Sequence, residues 1–126
     1  MNRITPNYSY EEKPCSVVAL GCALNSFNID PKEAESVEFD QDGYCSLSKM
    51  RKAVNDKFVT KYRYFKKTER MSLRQWIENL VVLDGKKAIV CVLGHYIFVE
   101  DGKYYSFFNN DSDEVVALWI IEGLRR

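Results

Sequence analysis

The hydrophobic positions of this chain follow three kinds of pattern. The run Cys15-Ser-Val-Val-Ala-Leu-Gly-Cys-Ala-Leu-Asn-Ser-Phe27 is apolar nearly all round. That is the mark of a helix buried in the middle of a domain rather than laid on its surface. Pro14 suits the first turn of such a helix, where its missing N–H would be unpaired anyway, and 25–31 ends it. A second pattern is a single stripe. Leu47, Met50 and Val54, with Phe58 after them, recur at helical spacing over 47–57, and Ser46 or Ser48 supplies the N-cap. Ser72-Leu-Arg-Gln75 has the form of a capping box and opens a short helix to about Leu80.

The third pattern belongs to strands. Phe58, Tyr62 and Tyr64 point one way and Lys61, Arg63 and Lys67 the other, so 59–67 reads as a strand with one wet face. Lys87 to Leu93 is apolar on both faces, as a central strand should be. Residues 95–100 and 103–108 flank Asp101-Gly102, a strong hairpin signal. Val115 to Ile121 makes a last strand, and Asp42-Gly43 and Asp84-Gly85 mark further turns. Residues 1–13 look irregular. No repeat or linker interrupts the 126 residues, so one domain over 1–126 is expected. Its class is α+β, a buried N-terminal helix packed on a C-terminal antiparallel sheet.

Composition trims the functional classes. Hydrophobic residues are 46% and charged residues 29%, close to the globular average, which argues against disorder. No run of 18 apolar residues exists, so no membrane-spanning helix is expected. Residues 1–14 lack the apolar stretch of a secretory signal, and a cytoplasmic protein is the default. Four cysteines without C-x-x-C spacing and a single histidine argue against a zinc site. A cytoplasmic setting argues against disulfides, and neither metal nor cofactor is expected.

The net charge is zero, but it is unevenly spread. Residues 1–48 carry three basic and eight acidic groups, 49–74 carry ten and two, and 75–126 carry five and eight. Either the segments meet and neutralise one another, or the basic middle attracts an acidic partner or a nucleic-acid backbone. In 58–67 aromatics interleave with cations, as in strands that stack bases and track phosphates. Alternation, however, sends the two sets to opposite faces. A half-buried edge strand with a protective cationic face is therefore the expected reading, and nucleic acid is not the expected partner.

Cys15 stands in the first turn of the predicted buried helix. Free N–H groups and the helix dipole stabilise a thiolate there, although most free cysteines are inert and buried. Cys22 and Cys91 should be core. His95, the only imidazole, opens a strand after Gly94. If Asp101-Gly102 is a two-residue turn, His95 lies opposite Phe108, and His95, Ile97, Ser106 and Phe108 share a face. Ser106, then Asn110, are the candidates to orient the imidazole.

A Cys at the head of a buried helix, Gly-His opening a strand and a polar residue on the next strand together resemble the papain-like cysteine peptidases. The nearest likeness is to the double-glycine leader (bacteriocin-processing) peptidases and to small phage and bacterial papain-like proteins. The matching stretches are Cys15-Ser-Val-Val-Ala-Leu20 and Gly94-His95-Tyr-Ile-Phe-Val-Glu-Asp101-Gly102-Lys-Tyr-Tyr105-Ser106-Phe107-Phe108-Asn109. The resemblance implies a papain-like fold and a thiol-dependent peptidase or amidase. Cys15 would be the nucleophile, His95 the general base and later general acid, and the Cys15 N–H half of an oxyanion hole. Its sulfur would lie about 3–4.5 Å from a His95 nitrogen. The family's Asp or Asn beside the histidine falls at Ser106, with Asn110 as substitute. Its Gln before the Cys falls at Ser9, with Asn7 nearby. These departures leave a second expectation, an inactive papain-like module binding a protein partner, such as a phage-type effector. On either reading the partner is a peptide or protein, with specificity set by loops such as 28–46 and 82–86. A third reading is nucleic-acid binding through 49–74. The sequence carries no sign of oligomeric state.

Overall fold

The computed structural model describes residues 2–7, 13–37, 45–82 and 87–125. In chain order it places β1 (Asn2–Ile4), α1 (Cys15–Asn25), a 3-10 helix (Pro31–Ser36), α2 (Leu47–Lys57), β2 (Phe58–Tyr64), a 3-10 turn (Lys67–Glu69) and α3 (Leu73–Val82). Then follow β3 (Lys87–Val92), β4 (His95–Glu100), β5 (Lys103–Tyr105) and β6 (Val115–Leu124). The turns expected at Asp42-Gly43 and Asp84-Gly85 lie outside the described residues.

Local sequence chemistry accounts for the element boundaries. Ser46 Oγ accepts the Lys49 N–H and caps α2. At α3 the capping box is reciprocal: Gln75 N–H donates to Ser72 Oγ, and Ser72 N–H donates to Gln75 Oε1. Asp101 and Gly102 both take positive φ, 50° and 78°, the primed turn that matches the twist of a hairpin. The β4–β5 register then runs Glu100↔Lys103, Val99↔Tyr104, Phe98↔Tyr105.

Among the described residues six strands form one sheet in the order β1-β5-β4-β3-β6-β2, and three α-helices pack on it. The class is α+β, with a mixed sheet. The expected purely antiparallel sheet is corrected at one edge, where β1 pairs parallel with β5. Residues 2–4 are therefore a strand and not irregular. Three residues reading Asn-Arg-Ile have no periodicity of their own, so only the distant partner makes them a strand.

Both faces of the sheet are covered. Ser16 to Leu24 of α1 are all buried. They form one core with Met50 and Val54 of α2, Tyr96 and Phe98 of β4, and Trp119 of β6. On the other face Leu73 and Ile77 of α3 meet Val90, Ile97, Val99 and Leu118. The alternation of β4 is thus split between two cores, as its period of two requires. Among the described residues no helix is long and apolar enough to cross a membrane.

Candidate active site

Cys15 opens α1. Pro14 stands at its N-cap with extended ψ, and among the described residues no side chain caps the helix. The first intrahelical bond is Val18 N–H to Pro14 O. The N–H groups of Cys15 to Val17 therefore point out of the helix end without a helical acceptor. Cys15 alone of the four cysteines is not buried. Burial pushes the thiols of Cys22 and Cys91 up to about 12, which leaves them without thiolate near neutral pH.

His95 is set by the tight turn from β3 into β4. Gly94 takes φ +73°, and a Cβ there would meet nothing within 4 Å. The turn needs glycine for its backbone and not for space. On the neighbouring strand, Ser106 Oγ accepts the Phe108 N–H at 3.1 Å. This local bond turns the chain away, so β5 stops at Tyr105 instead of running to Phe108. The expected ladder pair of His95 with Phe108 is not made. Their rings still meet edge to face, with centroids 6.1 Å apart.

The same hydroxyl reaches the imidazole. His95 Nε2 lies 3.4 Å from Ser106 Oγ, which donates to Asn110 Oδ1 at 2.6 Å, while Asn110 Nδ2 donates to Asp113 Oδ2 at 2.7 Å. The direction of this chain is fixed from its far end. An ionised carboxylate only accepts, so the amide nitrogen of Asn110 must face Asp113 and its oxygen must face Ser106. The Ser106 proton then belongs to Asn110, and Ser106 can only accept from His95. Nε2 therefore carries the hydrogen, and Nδ1 is left as a base with no hydrogen-bond partner among the described residues. Burial pushes the imidazole below its ordinary value, and the Asp113 carboxylate pulls it back in part. The ring is thus neutral at neutral pH.

The loop that supplies these groups is itself pinned. Tyr104 OH donates to Asp111 Oδ1 at 2.6 Å and accepts the Asn110 N–H at 3.0 Å. From β1, Arg3 Nη1 donates to the Ser106 carbonyl, and Ser106 N–H donates to Ile4 O. Ser106 and Asn110 are buried.

Cys15 and His95 line one cleft of about 590 Å³, together with Lys13, Val18, Tyr96, Tyr105, Ser106, Phe107 and Phe108. Among the described residues no hydrogen bond joins the thiol to the imidazole. The structure thus brings Cys15, His95 and Ser106 to a common cleft and ties Asn110 to Ser106 behind it. It does not bring Asn7 there. Asn7 lines a separate cleft of about 260 Å³ beside Asn25, Ser26 and Glu100, because the pairing of β1 with β5 carries the chain toward the far end of α1. Ser9 lies outside the described residues. Asp113 carries no signal of this role in the sequence. The run Asn109-Asn-Asp-Ser-Asp113 signals a turn, but not which carboxylate would close the chain. Among the described residues no group of three or more His, Cys, Asp or Glu could hold a metal ion.

Comparison of the chain with protein-family models, with curated proteins and with solved structures found no match.

Proposed function

We propose that the protein is a thiol-dependent hydrolase, a peptidase or amidase of papain-like arrangement, with Cys15 as nucleophile and His95 as base. One observation supports this above all. Burial leaves His95 neutral and the hydrogen-bond chain from Asp113 puts its hydrogen on Nε2, with a bare Nδ1, in the cleft that holds the one thiol that is not buried. A neutral base suits general-base attack better than the preformed thiolate–imidazolium pair that the resemblance implies. Nδ1 takes the Cys15 proton as sulfur adds to the carbonyl carbon. The Cys15 N–H faces the developing oxyanion. Nδ1 then returns the proton to the leaving amine, and water activated by the same nitrogen releases the acyl group from sulfur. Substrate binding would close the gap between thiol and imidazole, since such contacts tighten in the complex.

A second reading rests on that same gap. Without a direct thiol–imidazole bond, and with Leu93 and Phe108 strongly exposed beside His95, the cleft suits a module that only binds a peptide or protein segment.

Iodoacetamide labelling and turnover of activated thioesters and a peptide library separate the two. The hydrolase labels at Cys15 before Cys22, Cys45 or Cys91. It slows on His95→Ala and loses turnover by a factor of about 1,000 or more on Cys15→Ala. Equal labelling in wild type and His95→Ala, with no turnover of any substrate, overturns catalysis in favour of the binding module.

A further inference from the structure

The chain's other unusual surface is the open edge of the sheet. β2 ends the strand order, paired on one side with β6 and on the other with no strand among the described residues. Such an edge presents a row of unpaired N–H and C=O groups, and proteins usually shorten or cover it. Here it is seven residues long, and cations gather on it from the strand itself, from α2 and from the loop that carries Arg70.

The neutralisation that the charge pattern allowed is only partial. Within 49–74, Lys61 pairs with Glu122 and Arg74 with Glu78. Arg51, Lys52, Arg63, Lys66, Lys67 and Arg70 have no carboxylate partner among the described residues. Several are held in place by rings instead. The Arg51 guanidinium lies 4.6 Å over Tyr62 on the face that packs against α1. Arg63 lies 4.9 Å from Phe65 and 5.9 Å from Trp76 on the face that packs against α3. Arg70 stacks on Tyr64 at 6.0 Å and donates to its hydroxyl. A groove of about 450 Å³ runs between α2 and Tyr62, lined by Arg51, Lys52 and Asn55.

We propose that β2 is a docking edge for an extended acidic peptide, which adds to the sheet as a further strand. Main-chain bonds along such an edge supply affinity, and alternate side chains supply specificity. An added strand sends its side chains to both faces in turn, and both faces of β2 carry positioned guanidinium groups. A register shift between Val59 and Thr60 confines regular pairing to Thr60–Tyr64, about five residues. Two other uses of this surface fit less well. A nucleic-acid strand tracks its phosphates along one surface and stacks bases on open rings. Here the cations divide between two faces, and guanidinium groups already cover Tyr62, Phe65 and Trp76. Protection of the edge against aggregation explains Lys61, which lies on the strand. It does not explain Arg51 and Arg70, which reach the edge from a helix and a loop.

Fluorescence anisotropy with a labelled nine-residue peptide of alternating Glu and Thr tests the proposal. Saturable binding is expected at low salt, weakening as salt rises. N-methylation of the central peptide amides should weaken it at least tenfold, as should Arg51→Gln combined with Arg63→Gln. Cys15→Ala should leave it unchanged, which keeps this result separate from the fate of the hydrolase reading. Equal binding of the N-methylated peptide would reduce the effect to charge alone and overturn strand addition. So would tighter binding of a single-stranded oligonucleotide of equal charge, or no saturation by 1 mM peptide. The N-methylated arm alters no protein residue, so it decides the question even if the double variant fails to fold.

Discussion

The imidazole and the thiol of the cleft are held by different means. His95 is placed by polar bonds that run through Ser106 and Asn110 to Asp113, each donor facing an acceptor. Cys15 has no such tether. Among the described residues its helix start lacks a side-chain cap, and the neighbouring Ser16 hydroxyl is buried without a hydrogen-bond partner. What fixes the thiol is the packing of α1, apolar on every side, between the sheet and the elements around it. Hydrogen bonds set the direction and tautomer of a ring, whereas packing sets only where a helix end lies. The base is therefore specified to an atom, and the nucleophile to a place.

The largest expected effect comes from breaking the packed side of this contrast. Leu20 is almost wholly buried in α1, and Leu20→Ala should cost about 3–4 kcal/mol, read as a lower urea midpoint. An unchanged midpoint would mean that α1 is held by something other than its core contacts.

The polar side should yield next. Ser106→Ala leaves Nε2–H of His95, the Phe108 N–H and Asn110 Oδ1 without their partner. Its expected cost is about 2 kcal/mol. The sharper readout is nitrogen NMR of His95, which should change from one tautomer, with hydrogen on Nε2, to a mixture. If the Nε2–H tautomer persists alone, the chain does not set it.

The smallest effect is on pH dependence. The folded-state value of His95 lies below its ordinary 6.5, so the unfolded chain binds more protons between the two values. Stability from this group is complete above about 6.5 and falls as pH drops toward the folded value. Comparing urea midpoints of wild type and His95→Gln from pH 8 to pH 5 isolates the effect. Asp113→Asn should deepen it, because it removes the charge that pulls the imidazole up. A difference between wild type and His95→Gln that grows with rising pH would reverse the argument.

The same contrast explains what could be read from the sequence. Packing and local caps are written in contiguous residues. The all-apolar run of α1, the Ser72–Gln75 box and the Asp101-Gly102 turn therefore announce themselves, and with them the hairpin register that put Ser106 beside His95. The tethered side depends on partners the pattern does not show. Strand alternation ran β5 on to Phe108, because nothing in the period reveals that Ser106 would capture the Phe108 N–H and bend the chain. Asp113 gains its role only once that bend exists. Cys15 and His95 could be singled out by residue type and position, but their separation could not, since it depends on how a helix seats on a sheet. The cationic edge shows the same limit. Alternation correctly separated Tyr62 from Arg63, yet the cation over Tyr62 comes from Arg51 on another element.

The parallel pairing of β1 with β5 also bears on how the molecule assembles. Asn2 lies opposite Lys103, so making that contact closes a loop of about a hundred residues, at an entropic cost on the order of 4 kcal/mol. The β4–β5 hairpin closes over a two-residue turn and meets no such barrier. A contact of such high order forms late, after the hairpin and the local helices. Until it does, the outer side of β5 stays open to pairing with other chains, and Ser106 lacks the clamp that Arg3 and Ile4 put on its backbone. Maturation of the cleft and protection of that edge thus become one event, the docking of three residues.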